Sequence, residues 1–413
     1  MKNNIVINGA SIKNEQQGVV LEYYISKKED SVSSDYTIQF KFDDEYKDYI
    51  SHEVADGIIV IILSYAIRGG YDIETKIPLS SELYYRLQFQ LIPQLCLCCG
   101  YDEISIKCDL LSPNYNPHAV ATAMSCGVDS FATLFEYTSD NIPDDRKITH
   151  LTFFQNGAHH GGYVGHSDDE QVIFESQLNH VKKFCDEYNW KLIVVASDVD
   201  KKLSEIFWED PFDRTHTYRN AGIVLLLQKF IKTYYYAGSY NLNDFLCAID
   251  ESPAHYEKFL LPNISTDYTN FYNSSGSMTR IEKIQYISSF EETWNHLLVC
   301  YSQGYNCGNC VKCRRTMLEL YFTNNIDKYA NIFPVETFKS NYKDYIIWLL
   351  DRRDKNSIME DIINCIKENN IKIPKYYYII SDFRRIGIKI VKKLSSIDSI
   401  NRLIDRIIES IKK

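Results

Sequence analysis

The sequence is short of several features, and each absence excludes a class of protein. None of its 413 residues lies in an apolar run approaching the roughly 18 residues of a membrane-spanning helix. The first residues, MKNNIVING, lack the long apolar core of a secretory signal. The chain also has no overall excess of basic charge, since 45 Lys and Arg residues face 55 Asp and Glu residues and the formal net charge at pH 7 is −10. We therefore expect a cytoplasmic protein with no membrane partner.

The end of the chain is the part that has an excess of basic charge. From Ser340 onward, 16 Lys and Arg residues outnumber 10 Asp and Glu residues, and this net charge of +6 leaves −16 for the remainder. An acidic body is poorly suited to a polyanion such as tRNA. The basic tail leaves a small opening for one, but solvated helix faces explain it more simply. We expect no nucleic acid partner.

Composition patterns divide the chain into three predicted domains. Residues 1–116 alternate apolar and polar positions, as in YTIQFKF and GIIVIILSYAI, which predicts strands and hairpins. Within this β-rich domain, SSELYYRLQFQLIPQLC has helical spacing after a serine cap at Ser80. Residues 326–413 are rich in Ile, Lys and Asn and are expected to be a helical region.

The middle domain, residues 117–325, repeats a strand, loop and helix pattern. AVATAM, ITHLTFF, KLIVVAS and TYYYAG are predicted strands, and DDEQVIFESQLNHVKKFCDEYNW and RNAGIVLLLQKFI are predicted helices. This alternation predicts an α/β fold with a parallel sheet and helices on both faces. Ligands of such sheets bind beyond the carboxyl ends of the strands. The predicted site therefore comprises Ser125–Ser130, Gln155–His160, Ser197 and Gly238–Asn241.

The loop Ser125–Ser130 has the composition of an anion site. A loop between a parallel strand and a helix presents N–H groups at the positive end of the helix dipole. Gly127 permits a tight turn, and the hydroxyls of Ser125 and Ser130 are further donors. Asp129 is a candidate to hold Mg²⁺ or to cap the turn. The loop differs from the GxxxxGK[ST] phosphate loop because it has no lysine.

This loop, read as S-x-G-x-D-S, resembles the pyrophosphate loop of the ATP pyrophosphatase superfamily. The resemblance implies that residues 125–130, including Cys126 and Val128, bind ATP, which these enzymes split between the α and β phosphates. The family usually has glycine where this chain has Cys126. A thiol at a helix N-terminus can have a lowered pKa and be nucleophilic, but a tolerated small residue is the simpler interpretation.

Four of the twelve cysteines are clustered in CYSQGYNCGNCVKC, at Cys300, Cys307, Cys310 and Cys313. A disulfide framework is not expected in a cytoplasmic chain. Two-residue spacings allow neighbouring thiolates to bind one ion, and four thiolates complete a tetrahedral structural Zn²⁺ site. An iron–sulfur cluster and four free buried cysteines are the alternatives.

The loop and the cysteine cluster together resemble 7-cyano-7-deazaguanine synthase and its relatives. Tyr218-Arg219-Asn220, which opens a predicted helix, and GSYN from Gly238 match the same family, and the likeness covers roughly residues 117–320. It implies a pyrophosphate-loop sheet domain of the HUP type that uses ATP, Mg²⁺ and Zn²⁺. It also implies catalytic roles for Asp129, Ser130 and Arg219, with Arg219 neutralising phosphate charge, and a place for Gly238 in the cofactor site.

Five further polar residues follow the predicted strands or precede the second helix. His159, His160 and His216 are candidates to line a substrate pocket, although exposed loop histidines are commoner. Asp198 and Asp200 are candidates to approach substrate or Mg²⁺, although carboxylates that cap loops are commoner.

The resemblance implies an enzyme that transfers AMP to a carbonyl or carboxylate oxygen and then replaces that oxygen with nitrogen or sulfur. We expect a small or carrier-protein-bound substrate, in natural-product biosynthesis or a defence-type modification, and a homodimer is left open. The alternatives are 7-cyano-7-deazaguanine synthase activity, tRNA thiolation and a nucleotide-binding module without catalysis.

Overall fold

The computed structural model describes residues 3–16, 18–29, 32–158, 170–248, 252–300 and 304–395, with side chains up to residue 387 in the last helix. Contacts divide the chain into two compact units, residues 1–306 and 307–413. None of the helices in these ranges is both long enough and apolar enough to cross a membrane.

The first unit begins with an antiparallel meander of three long strands. These are β1 (Asn4–Asn14), β2 (Val19–Glu29) and β3 (Val32–Phe42). In β3 the side chains of Ile38, Phe40 and Phe42 are buried while those between them are exposed. The alternation of YTIQFKF therefore corresponds to a strand with one buried face, as its sequence predicts.

The run GIIVIILSYAI is not a strand, and this part of the sequence prediction is wrong. It lies in α1 (Asp56–Gly69), whose residues are almost all buried. A run that is apolar on every side has neither a helical nor a strand period, so the pattern could not discriminate between them. The helix is buried all round because α1 packs closely against α7 (His216–Leu225).

A group of short elements completes the N-terminal part of the first unit. They are β4 (Asp72–Thr75), β5 (Leu79–Ser80), α2 (Ser81–Arg86), α3 (Ile92–Cys99), β6 (Ile106–Lys107) and β7 (Leu110–Leu111). A single π-helical segment, Leu87–Leu91, joins α2 to α3. The helix predicted from Ser80 is therefore present, with Ser80 at its N-cap position.

The rest of the first unit alternates strands and helices. The strands are β8 (Ala119–Ala123), β9 (His150–Phe154), β10 (Lys191–Ser197), β11 (Ile231–Ala237) and β12 (Asn270–Ser274). The helices besides α7 are α4 (Val128–Glu136), α5 (Glu170–Tyr188), α6 (Val199–Ile206), α8 (Glu257–Asn263) and α9 (Arg280–Ile287). These five strands are parallel to one another, as the alternation predicts.

All strands except β5 and β7 belong to one sheet of mostly parallel strands. Its order is β12-β11-β8-β9-β10-β3-β2-β1-β4-β6. The meander joins the parallel strands through an antiparallel pairing of β3 with β10. Because β8 lies between β9 and β11, the chain that follows it builds strands on both of its sides, and ligands of such sheets bind in the crevice beyond the carboxyl end of a strand in that position. The loop at residues 124–127 lies at that point.

The second unit is helical, as the sequence predicts for the end of the chain. It contains α10 (Val311–Phe322), α11 (Val335–Ser340), α12 (Tyr342–Leu350), α13 (Ser357–Glu368) and α14 (Lys375–Ser395). Leu318, Ile346 and Ile362 are among its fully buried side chains. The predicted division at residue 116 falls inside the continuous sheet, and the independence of the three predicted domains stays a prediction.

Candidate functional site

The loop after β8 ends at the N-terminus of α4. Gly127 is the N-cap, with extended backbone angles, and α4 begins at Val128. The first turn of an α-helix leaves its N–H groups without intrahelical acceptors. The N–H groups of residues 128–130 therefore point away from the helix, out of the N-terminal end of α4. This geometry suits an anion, because the dipole of α4 adds positive potential there.

The two serine hydroxyls of the loop face each other across the turn. The Oγ atoms of Ser125 and Ser130 are 3.4 Å apart. Ser130 donates to the Gly127 carbonyl oxygen at 3.0 Å, and the Gly127 N–H donates to Ser125 Oγ at 3.3 Å. Ser125 is exposed and Ser130 is buried. The hydroxyls therefore hold the turn in shape and lie beside the N–H groups of the first turn.

Cys126 shapes the backbone of the loop, and its thiol is buried. Its φ of 54° lies in the left-handed region, which favours glycine. Its N–H contacts Met124 Sδ at 3.3 Å, and its carbonyl accepts the Leu298 N–H at 2.8 Å. The side chain is fully buried, and this burial raises the pKa of the thiol well above its usual value. Desolvation therefore outweighs the helix dipole, and the thiol stays protonated at neutral pH.

Two buried cations from α9 converge on Asp129. Arg280 Nη1 lies 2.8 Å from one carboxylate oxygen of Asp129, and Lys283 Nζ lies 2.9 Å from the other. Lys283 also donates to the Gly238 carbonyl oxygen at 2.5 Å. The side chain of Lys283 is fully buried and that of Arg280 is 6% exposed. Lys283 therefore links the loop after β8 to the end of β11, across the crevice.

The sequence analysis missed Arg280 and Lys283, although α9 carries a signal for them. A capping box between Thr279 and Glu282 fixes the start of α9, so Arg280 and Lys283 lie one turn apart on the same face. Basic residues in a first turn oppose the helix dipole. Such a pair therefore indicates a nearby anion.

Arg219 lies in a buried ion pair on the other side of β8. Its guanidinium is fully buried and contacts Asp200. It also donates to Tyr65 Oη at 2.7 Å and to the Asn156 carbonyl oxygen at 3.0 Å. Gly157, with φ of 97°, allows this approach, since a Cβ there would lie 2.5 Å from Arg219 Nη1. The contacts of Arg219 are thus with the loop after β9, with α6 and with α1, and its role towards phosphate stays a prediction.

Gly238 brings the end of β11 against a buried polar group. A Cβ on Gly238 would lie 2.5 Å from Asn273 Nδ2, and Asn273 donates to Glu257 at 2.9 Å. Glu257 is buried, and burial raises the pKa of its carboxyl group. His216 Nε2 lies 3.7 Å from the same carboxyl group. His216 therefore belongs to this cluster, which lies beside the Lys283 contact at Gly238.

The remaining polar candidates divide into described and undescribed residues. Asp198 accepts the Gln39 N–H at 2.8 Å, and burial raises the pKa of its carboxyl group. It therefore joins β3 to the start of α6. Asp200 is the partner of Arg219. His159 and His160 lie outside the described residues.

The loop as arranged does not fit Mg²⁺ bound through Asp129. Mg²⁺ requires unencumbered carboxylate oxygens in octahedral geometry. Each oxygen of Asp129 already contacts a cation, Arg280 or Lys283, within 3 Å. Because both oxygens are engaged, this arrangement does not support the Mg²⁺ role predicted for Asp129. That role stays a prediction, and no step is assigned to that ion.

The four clustered cysteines fit a metal ion. The sulfur atoms of Cys300, Cys307, Cys310 and Cys313 all lie within 4.8 Å of one another. The N–H groups of Cys310 and Cys313 donate to the sulfurs of Cys307 and Cys310 at 3.3 Å and 3.4 Å. Such bonds turn successive thiolates towards one centre. The set can hold a tetrahedral ion such as Zn²⁺, and it leaves no ligand position open for substrate.

Comparisons with known proteins give no relative for this chain. No family model matches it, and neither a curated protein nor a solved structure does so.

Proposed function

We propose that this protein is an ATP-dependent enzyme that transfers AMP to a carbonyl or carboxylate oxygen and releases pyrophosphate. The observation that carries the proposal is the convergence of buried Arg280 and Lys283 on Asp129 at the N-terminus of α4. Burying a cation is costly unless an anion accompanies it. Here two cations and a helix N-terminus occupy one place, which suits a ligand with several negative charges.

The proposed binding mode exchanges one anion for another. The Asp129 carboxylate accompanies both cations in the structure. The β and γ phosphates of ATP would take over Arg280 and Lys283 and accept the N–H groups of the first turn of α4. The hydroxyls of Ser125 and Ser130 are further donors. These groups would stabilise the negative charge that develops on the departing pyrophosphate.

The chemistry follows from the need for a leaving group. A carboxylate or amide oxygen leaves poorly, and AMP leaves well once it is attached to that oxygen. Ammonia that attacks an adenylated carboxylate would expel AMP and give an amide, and a sulfur nucleophile that attacks an adenylated amide would expel AMP and give a thioamide. A nitrile would need a second ATP to adenylate the amide oxygen, followed by loss of AMP and the N–H proton. Residues 125–130, Arg280 and Lys283 would contribute by positioning and charge neutralisation. We propose a small or carrier-protein-bound acceptor.

The cysteine cluster would have a structural role in this enzyme. Cys300, Cys307, Cys310 and Cys313 supply four thiolates, which complete the coordination of Zn²⁺. A filled coordination sphere holds the surrounding turns and leaves no position for a reacting oxygen.

Lys283→Met tests the phosphate site without requiring the acceptor to be known. We expect binding of ATP and of inorganic pyrophosphate, measured by calorimetry, to weaken about 10- to 100-fold, because a charge-assisted hydrogen bond is lost. Lys201→Met, at an exposed position on α6, is the matched control and should bind like the wild type. Equal affinities for all three proteins would contradict the proposed site.

The nucleotide product tests the reaction. With labelled ATP and a panel of carboxylate, amide and carrier-bound acceptors, AMP and pyrophosphate are the expected products. ADP would exclude the mechanism.

A nucleotide-binding module without turnover is the second candidate. Cys126 favours it, because a side chain with φ of 54° occupies the loop position where the resembled family usually has glycine. Tight ATP binding with no AMP from any acceptor would support it.

A further inference from the structure

A buried segment that is neither helix nor strand contacts the loop after β8. This segment, residues 297–300, consists of side chains that are between 1% and 7% exposed: Leu297, Leu298, Val299 and Cys300. Buried N–H and C=O groups need hydrogen-bond partners, and here no helix or strand supplies them. The partners that these groups have therefore show what holds the segment and what the segment holds.

The segment is bonded directly to the backbone of the loop. The Leu298 N–H donates to the Cys126 carbonyl oxygen at 2.8 Å. Cys126 has φ of 54°, and this left-handed conformation costs free energy for a residue with a side chain. The hydrogen bond stabilises the conformation, because rotation of the peptide group would break it. The same peptide group carries the Gly127 N–H, and the N–H groups of the first turn of α4 follow it in the chain.

The side chain of Asn306 fixes the segment on both sides of Leu298. Its Oδ1 accepts the Val299 N–H at 2.9 Å, and its Nδ2 donates to the Leu297 carbonyl oxygen at 2.7 Å. Asn306 is itself buried, so water does not replace these bonds when the side chain is shortened. The two bonds therefore determine where the Leu298 N–H lies.

The segment ends at a cysteine of the metal-binding cluster. Cys300 is its last residue, and Asn306 directly precedes Cys307 in the chain. Both cysteines belong to the set of four that could hold a metal ion. An ion bound by four thiolates would fix Cys300, two residues from Leu298, and Cys307, one residue from Asn306.

We propose that Asn306 is a positioning residue for the loop after β8, and that an ion bound by the four cysteines holds this loop in shape through residues 297–300. Asn306 acts through the bond from Leu298 to Cys126. Without Asn306 or the ion, Cys126 leaves the left-handed conformation for part of the time, and the N–H groups that follow it no longer converge. The consequence for anion binding rests on the proposed function, whereas the effect on the shape of the loop does not.

Hydrogen exchange followed by mass spectrometry tests the shape of the loop without any ligand. In Asn306→Ala the amides of residues 125–130 should exchange about 3- to 10-fold faster than in the wild type, because the bonds that place Leu298 are lost. Metal-free wild type, prepared with a chelator, should show the same change. Peptides from β2 should exchange at the wild-type rate in both proteins, which separates a local effect from unfolding.

Asn325→Ala is the matched control. Asn325 is also partly buried, and its side chain donates to the Thr323 carbonyl oxygen at 3.0 Å, outside the segment. Its loop should exchange like that of the wild type. Unchanged exchange at residues 125–130 in Asn306→Ala would overturn the role of Asn306, and unchanged exchange in the metal-free protein would overturn that of the ion. Faster exchange of β2 as well would assign the effect to the whole fold and overturn the local coupling.

Calorimetry with inorganic pyrophosphate measures the consequence for binding. Asn306→Ala should bind about 3- to 10-fold more weakly than the wild type and Asn325→Ala equally well, while elemental analysis shows that both variants keep their metal content. Wild-type affinity in Asn306→Ala, despite faster exchange of its loop, would overturn the link between the shape of the loop and anion binding. A wild type that does not bind pyrophosphate would contradict the proposed function, and the exchange rates would still decide whether Asn306 and the ion hold the loop.

Discussion

Asp129 is the shared counter-ion of Arg280 and Lys283, and this single residue decides how the loop behaves without a ligand. Its side chain is 23% exposed, whereas the two cations are almost wholly buried. Removing an anion from buried cations lowers the free energy of unfolding more than removing it from an ion pair on the surface. The loop should therefore be sensitive to the charge at position 129 and insensitive to the Cys126 thiol, which is buried and protonated.

Asp129→Asn should lower stability by about 1–3 kcal/mol, because it leaves buried cations without their carboxylate. Pyrophosphate should restore part of the loss, since a ligand that binds only the folded state stabilises it. Thermal unfolding with and without pyrophosphate measures both effects.

Asp144→Asn is the control for this substitution, because the Asp144 side chain is 95% exposed and pairs with Lys147 on the surface. Its stability should change little. If Asp129→Asn were as stable as the wild type and indifferent to pyrophosphate, the loop would not be an anion site.

At the scale of elements, α1 and α7 approach closely because each has a glycine at the contact. A Cβ on Gly222 would lie 2.6 Å from the Gly57 carbonyl oxygen, and a Cβ on Gly57 would lie 2.7 Å from that of Gly222. The contact matters for the site because α7 also carries His216 and Arg219. It holds the helix that supplies these side chains against the sheet.

Gly222→Ala should destabilise the protein by about 1–3 kcal/mol, since the added methyl group must push the two helices apart. Chemical denaturation measures the change in the free energy of unfolding. Gly387→Ala, in open space on α14, is the matched control and should stabilise its helix by about 0.5–1 kcal/mol. Equal effects at both positions would contradict the close contact.

The local sequence pattern was sufficient to predict some elements and not others. KLIVVAS coincides with β10 because a short apolar run before a loop is typical of a buried parallel strand. The run GIIVIILSYAI in α1 was wrongly predicted to be a strand. It is buried on all sides, so its sequence has no alternation of apolar and polar residues that would indicate a helix. The contact of Lys283 with Asp129 spans 154 residues, so no local pattern contains it. Only the sheet order brings the end of β8 beside α9.

At the scale of the molecule, we expect the four cysteines, which could hold a metal ion, to be a second source of stability. Purified protein should contain one equivalent of zinc by elemental analysis. Cys310→Ser should lower the midpoint of thermal unfolding by at least about 4 °C, because losing a ligand costs about 2 kcal/mol or more. Cys98→Ser, at an exposed cysteine outside the cluster, is the control. Metal-free wild type with the same midpoint would contradict a structural metal, and iron with visible absorption would identify a cluster.

The antiparallel pairing of β3 with β10 has a consequence for solubility. Without the meander, β10 would be the last strand on its side of the parallel sheet, with a row of unpaired N–H and C=O groups along Val195, Ala196 and Ser197. An exposed edge strand of this kind can form hydrogen bonds with a strand of another chain, and such pairing starts aggregation. The N-terminal strands therefore cover that border permanently, and a version of this protein without residues 1–116 would be prone to precipitate.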